Sequence, residues 1–318
     1  MKRLAAVGAA VAWAVVLSSC VTTGKPEDQI YTLSLDLQPG TSYPFSTEVK
    51  QKIDEEVLGQ KISLEQTMKT LYTVSVDSTD PLGNTSLTVT YNDMSVTVDN
   101  VSSDGDLGDM SGALGSMGDE MNQLYDALEG RTFGVVLSPE GRVQSVSGME
   151  DMIQAMKEWL SASGTPGADQ IFDQVSGLFG DEFITQSWEY YFAYLPEEPV
   201  KIGDRWTANL STGSQFPLEV ATVYTLESVT DGTARIGVEG TVTAGKDSAL
   251  MEVSGLQLGF TFDGTETGQV AVDLESGWLD SMVTSQTVDG KITISGDAGG
   301  NIDFEIPLHL DMTTRVNQ

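Results

Sequence analysis

One cysteine, Cys20, and one histidine, His309, are all the thiol and imidazole in 318 residues. That pair rules out an intrachain disulfide and every zinc site built on several Cys or His. It also leaves any Ser/His/Asp triad dependent on His309. His309 stands between Leu308 and Leu310 in an alternating run, which directs it to the polar face of a strand, where it reads as a surface histidine and not a catalytic base. No G-x-S-x-G elbow, P-loop or dinucleotide glycine fingerprint is present.

Carboxylates are plentiful, with 47 Asp and Glu. Glu197-Glu198 and Asp181-Glu182 are sequence neighbours whose side chains diverge, so they do not form a general acid and base pair. Asp104-Gly105-Asp106-Leu107-Gly108-Asp109 lacks the D-x-D-x-D-G order and the closing Glu of a calcium loop, and reads as a flexible acidic loop. Trp188, Tyr190, Tyr191, Phe192 and Tyr194 form an aromatic stretch with the means to stack on sugar or lipid. Packing between helices and a sheet is the commoner fate of such a stretch. The expectation is a protein without catalytic residues, cofactor or metal. A hydrolase working through carboxylates is the enzymatic alternative.

The chemistry that is legible belongs to Cys20. Lys2 and Arg3 precede an apolar run from Leu4 to Leu17, which is too short for a membrane span of about 20 residues and suits a secretory signal. The run closes on Leu17-Ser18-Ser19-Cys20. This tetrad resembles the lipobox of bacterial lipoproteins, which implies lipidation of the Cys20 thiol and cleavage before it. Residues 1–19 then form the signal peptide and residues 20–30 a polar lipidated tether. Val21, where an Asp would favour retention in an inner membrane, leans the address towards an outer membrane, facing the periplasm.

Loss of Lys2 and Arg3 with the signal leaves 14 basic against 47 acidic residues, a net charge of −33 for the mature chain. Nucleic acid and bare anionic lipid are poor partners for such a domain. The acids are scattered, as on a solvated, highly soluble surface.

Positioning elements follow from periodicity. Leu33, Leu35 and Leu37; Leu87, Val89 and Tyr91; Phe133, Val135 and Leu137; Ala234, Ile236 and Val238; Leu256 to Phe262; Val270 to Leu274; and Ile302 to Leu310 alternate with polar residues, the pattern of antiparallel strands. Turns are expected at Asp80 to Asn84, Ser138 to Gly141, Thr230 to Gly232 and Val288 to Gly290. Residues 100–118, rich in Gly, Ser and Asp, read as a mobile loop.

The middle of the chain switches to helical spacing. Met121, Leu124, Tyr125 and Leu128 form one stripe, and Met149, Met152, Ile153, Met156, Trp159 and Leu160 another, the latter opened by a Ser147/Glu150 capping box. Ile171 to Phe179 and Phe183 to Leu195 suggest two further helices.

A diffuse repeat relates Gly40-Thr41-Ser42-Tyr43 and the hairpin that follows it to Gly203-Asp204-Arg205-Trp206 and its hairpin, and Gly134 to Ser145 to Gln269 to Ser281. Over residues 40–316 the order of these pieces, above all Leu195-Pro196-Glu197-Glu198-Pro199-Val200-Lys201-Ile202-Gly203-Asp204-Arg205-Trp206, resembles a bacterial lipoprotein family defined only as a domain of unknown function. That resemblance implies export and a fold outline, and no activity.

The expected architecture is α+β and β-rich: two related halves of bent antiparallel sheet, residues 31–148 and 196–318, with a helical segment, 149–195, packed between or over them. Its expected role is a binding or structural lipoprotein of the cell envelope, held to the membrane through Cys20, with an envelope protein or an apolar ligand as partner. A carrier with a cavity under the helices is the alternative within that class. Replacing Cys20 with Ala is expected to abolish incorporation of labelled palmitate and leave the precursor uncleaved; unchanged labelling would refute the anchor.

Overall fold

The computed structural model describes residues 29–57, 59–103, 110–164, 172, 176, 180–212, 218–245, 251–253, 256–297 and 301–318. The first part of the chain forms strands β1 (Ile30–Tyr31), β2 (Ser42–Val57), β3 (Gln60–Thr79) and β4 (Thr85–Ser103), helix α1 (Met110–Asp126), and strands β5 (Thr132–Leu137) and β6 (Val143–Ser147). Helices α2 (Met149–Ser163) and α3 (Asp181–Phe192) follow. The second part adds β7 (Val200–Lys201), β8 (Arg205–Thr212), β9 (Leu218–Thr230), β10 (Thr233–Ala244), β11 (Met251–Val253), β12 (Leu256–Asp273), β13 (Leu279–Asp297) and β14 (Asn301–Asn317).

Twelve of these strands make one antiparallel sheet in the order β6-β5-β4-β3-β2-β14-β13-β12-β10-β9-β8, with β11 beside β12. The expected bent sheets are therefore a single sheet, because β14 pairs with β2 from Asn317↔Ser46 to Leu308↔Glu55. Helix α3 packs against both β6 and β8, the two ends of the strand order. Eleven strands spaced about 4.8 Å apart would hold those ends far apart in a flat sheet. The sheet must curl until one helix touches both, and α3 covers backbone that would otherwise be open to edge pairing.

Period-two patterning sets the faces. Along β2, Glu48, Lys50, Lys52 and Asp54 point outward, while Phe45, Thr47, Val49, Gln51 and Ile53 point inward. The main core lies on the inner face and joins Phe45, Val74, Val89, Phe133, Leu226, Ile236 and Val272 to Leu124 of α1 and Leu128 of the turn after it, Met152 and Met156 of α2, and Trp188 and Phe192 of α3. Trp278 is fully buried there, stacked on Tyr43 with ring centroids 4.8 Å apart. Helix α1 also covers the outer reach of β4, where β5 has ended: Asn122 accepts from the Val96 N–H and donates to its carbonyl, as a neighbouring strand would.

Glycines on the inner face make room for cross-strand side chains. A Cβ on Gly290 would lie 2.4 Å from the Phe262 ring, and one on Gly268 would lie 2.9 Å from Thr284. For this reason Val288 to Gly290 is no turn: β13 runs through it, and Phe262 of β12 lies across Gly290. The other three turns form as expected, with Asp80 capping the Leu82 and Asn84 amides and Asp231 and Gly232 both at positive φ.

Three further expectations are corrected. Leu33, Leu35 and Leu37 alternate in burial but belong to no ladder; the Leu35 N–H donates to Pro139 O and the Asp36 N–H to Ser276 O, so this segment laces together two turns from opposite parts of the chain. Residues 100–103 extend β4 and residues 110–118 begin α1, which leaves only 104–109 of the expected loop, outside the described residues. Helix α2 has no Ser147 capping box: its N-cap is Gly148, in the left-handed region at φ 84°, with no side-chain cap bond. The helix expected at 171–179 lies almost wholly outside the described residues.

Gly277 sits at φ 67°, and a Cβ there would fall 2.0 Å from Ser34 O of the lacing segment. Gly277→Ala is expected to destabilise the fold by about 3 kcal/mol in urea unfolding, against about 1 kcal/mol for Gly40→Ala, where the φ is also positive but nothing is near. Equal losses would mean the lacing contact contributes nothing.

Candidate functional site

Across the middle of the inner face runs a row of buried polar side chains. Thr70 of β3 is opposite Thr47 of β2, and Thr314 of β14 is opposite Thr284 of β13. Gln286 of β13 is then opposite Glu266 of β12, Glu266 is opposite Gly240 of β10, and Gly240 is opposite Thr222 of β9. On one side of this belt lies the main core with its helices. On the other side a second apolar cluster gathers Val220, Val242, Phe262, Val288 and Leu308, with Ile53, Leu218, Phe260, Ile292 and Leu310 packed around it.

Glu266 is the centre of the belt. It is 2 % exposed, and among the described residues no cation pairs with it. Its carboxylate accepts from Gln286 Nε2 at 2.8 Å, from the Thr222 hydroxyl at 2.7 Å and from the Tyr190 hydroxyl at 3.1 Å. Tyr190 Oη also lies 2.9 Å from Thr284 Oγ1. Burying a carboxylate is costly unless donors replace its water, and three neutral donors do so here. Burial first, and the Glu266 charge second, push the Tyr190 phenol well above its ordinary range, so it stays a donor. Its neighbour Tyr191 has its phenol beside Thr47, so consecutive residues of α3 reach the belt at two places.

Beside the belt, between α3 and the sheet, is a cavity of about 240 Å³. Phe183, Gln186, Ser187, Tyr190 and Tyr191 of α3 form one wall, and Val49, Gln51, Leu210, Leu218, Leu310 and Met312 much of the other. Ser211 of β8, with Gln286 and Thr314 of the belt, completes the lining. Leu218 and Leu310 belong also to the second apolar cluster, so the cavity is continuous with it.

The residues singled out from sequence lie elsewhere or play other parts. Cys20 and the run from Asp104 to Asp109 fall outside the described residues. His309 is on the outer face between Asp289 at 2.7 Å and Asp311 at 3.3 Å, and the Asp289 hydrogen bond raises its pKa above the ordinary histidine value. Trp188, Phe192 and Tyr194 are core, whereas Tyr190 and Tyr191 line the cavity. Met149, Met152 and Met156 are buried in the main core, so the α2 stripe is ordinary packing. Glu197 pairs with Arg142 at the surface, and Asp181 and Glu182 are exposed in the first turn of α3.

The motif from Leu195 to Trp206 is a clasp. Tyr194, just before it, donates to Gly277 O, Trp206 Nε1 donates to Tyr194 O, and Asp204 caps the Lys201 amide. A polar groove of about 670 Å³ lies over this seam, bordered by the exposed pairs Arg142–Glu197 and Arg205–Glu239. Among the described residues no group of three or more His, Cys, Asp or Glu could hold a metal ion.

The model of a family of unknown function, DUF6263, matches residues 82–279, a stretch that takes in the clasp, α3 and Glu266. The chain belongs to that family. No curated protein matches this DUF6263 member in sequence. Among solved structures it is similar to lipovitellin, studied for its lipid–protein interactions, at 10% identity and a TM-score of 0.41, over 89% of this chain and 25% of that one. The DUF6263 chain thus spans about a quarter of the lipovitellin chain. An outer membrane channel from Pseudomonas putida F1 aligns at 10% identity and TM-score 0.24, over 89% and 97% of the two chains. The outer membrane protein OprG from Pseudomonas aeruginosa aligns at 9% and 0.21, over 88% and 98%. At these scores the matches assign neither ligand nor role.

Sequence reading missed Glu266, yet a signal was there. Phe262, Gly264, Glu266, Gly268 and Val270 share one phase of the alternation, so an acid sits on the apolar face of β12 between two glycines. Tyr190→Phe is expected to cost roughly 2 kcal/mol in chemical denaturation, because a charged acceptor loses a donor, and Tyr191→Phe only about 1 kcal/mol. Equal costs would show that the Tyr190–Glu266 bond contributes no more than the contact made by Tyr191.

Proposed function

We propose that this protein is an exported lipoprotein, anchored through Cys20 to a bacterial membrane facing the periplasm, whose folded domain binds a single-chain apolar ligand without catalysing a reaction. The observation that carries this reading is the continuity of the α3 cavity with an apolar cluster that, among the described residues, lies beyond the helical core. Inward positions on this side of the belt, including Ile53, Leu64, Phe260, Ile292, Ile306 and Leu310, are only partly buried, whereas the helix-covered side is closed. Half-buried side chains lining a concavity gain burial when an acyl or alkyl chain enters, at about 25 cal/mol per Å² of surface removed from water. The Leu17 to Cys20 tetrad supplies the membrane address.

A binding role also fits the polar chemistry. The buried acid is occupied by neutral donors, and the single histidine is on the outer face, so neither is poised as a general base towards the cavity. The same reading takes the two meanders as copies of one unit. Gly40 N and Val76 N bond Val76 O and Thr41 O, just as Gly203 N and Leu226 N bond Leu226 O and Asp204 O. A duplicated meander joined edge to edge makes a trough twice the width of one copy.

The mature chain carrying Cys20→Ala should bind the neutral dye phenylnaphthylamine saturably, read as a rise in fluorescence. Leu310→Glu with Met312→Glu should weaken binding at least about tenfold while leaving the circular dichroism spectrum unchanged. No saturable binding by the folded protein would refute the proposal.

A further inference from the structure

The belt bears on which ligand the cavity accepts, an inference that rests on the binding reading above. Most of its donors are already committed. The Tyr190 hydroxyl faces Glu266 and Thr284, Tyr191 lies beside Thr47, and Gln286 gives its amide N–H to Glu266. What remains uncommitted is specific. Because the Gln286 nitrogen must face the carboxylate, its carbonyl Oε1 is turned away from it, and that oxygen has no hydrogen-bond partner among the described residues. The Thr314 hydroxyl likewise has none. Gln286 is 5 % exposed and Thr314 6 %, and both line the cavity. An acceptor that faces the cavity without a protein partner is satisfied by a donor that arrives with the ligand or with water.

Charge acts in the same direction. Glu266 stands one amide group behind the Gln286 wall, in a setting with no paired cation among the described residues, and the chain as a whole carries −31. An anionic head entering the cavity meets the field of that carboxylate at short range and at reduced dielectric. A carboxylate or phosphodiester also has no proton to give to Gln286 Oε1. Both arguments disfavour anions, and an ammonium head is disfavoured by burial, because no residue lining the cavity is charged and the Glu266 oxygens are taken by Gln286, Thr222 and Tyr190. The apolar residues Val49, Leu210, Leu218, Leu310 and Met312, with the cluster beyond them, suit one hydrocarbon chain.

We propose that the α3 cavity is a site for an uncharged single-chain amphiphile whose hydroxyl or amide head donates to Gln286 Oε1 and Thr314, and that Glu266 excludes anionic heads. Glu266 acts through Gln286, as a positioning residue and a source of field.

The test is displacement of phenylnaphthylamine from the mature Cys20→Ala chain by monolaurin, laurate and dodecylamine at pH 8, each below its aggregation threshold. Monolaurin should displace the dye at least about tenfold more effectively than laurate. Glu266→Gln should narrow that gap by improving laurate. Gln286→Leu should weaken monolaurin about tenfold more than it changes the directly measured dye affinity, and serves as the second variant if Glu266→Gln does not fold. Equal displacement by laurate and monolaurin, or tighter displacement by dodecylamine, would overturn the assignment of a neutral head while leaving the cavity intact. Failure of the dye itself to bind would instead remove the binding reading.

Discussion

The pairing of β2 with β14 is the contact on which the architecture depends. It joins residues 46–55 to residues 308–317, nearly the whole chain apart in sequence, and turns two meanders into one sheet. Once they are joined, the free edges are β6 and β8, and both reach α3. The loop entropy of such a distant pairing must be offset by what it brings together. Here it brings together one continuous inner face, which carries a core large enough to bury three helices' apolar stripes. The lacing of Leu35 and Asp36 to Pro139 and Ser276 reinforces the same joint from the outside of the ladder.

Curling the sheet creates a second constraint. A concave surface built from strands of up to 20 residues is longer than the helices that fill it, so the inner face divides into a covered part and a part beyond. The belt of Thr70, Thr47, Thr314, Thr284, Gln286, Glu266 and Thr222 stands at that division. Threonine suits both sides, since its methyl packs on either apolar cluster while its hydroxyl stays in the polar row. Glu266 gives the row its directionality, because every donor that satisfies the carboxylate is thereby oriented and its opposite atom is presented elsewhere. Tyr190 ties α3 to this network, so the helix that closes the edges also bounds the cavity.

Charge is distributed by the same alternation. The outward positions of β2 and β14 hold Glu48, Lys50, Lys52, Asp54, Asp311, Arg315 and His309, linked by exposed pairs such as Lys52–Asp54 and Arg315–Glu48. Exposed pairs of this kind contribute little to stability, and their effect is on solubility and on the sign of the field. The result is a strongly acidic exterior around an apolar inner face.

By itself the sequence determined the alternating strands, three of four turns, the stripes of α1 to α3 and the correspondence of Gly40 with Gly203. These are local properties, written in periodicity and in the backbone freedom of glycine. It also determined the excess of acid and the tetrad at Cys20, which need no fold to be read. Tertiary structure decided the rest. Whether two sheets or one would form depended on the β2–β14 ladder, and no local pattern in either strand names its partner. Leu33 to Leu37 alternates like a strand, but its neighbours are turns 104 and 240 residues away, so it bonds to single carbonyls instead of a ladder. Val288 to Gly290 has the composition of a turn and became mid-strand because Phe262 needed the space over Gly290. Glu266 drew no notice among 47 acids because its meaning lies in what faces it across β9, β13 and α3, and those neighbours are assembled only when the sheet closes.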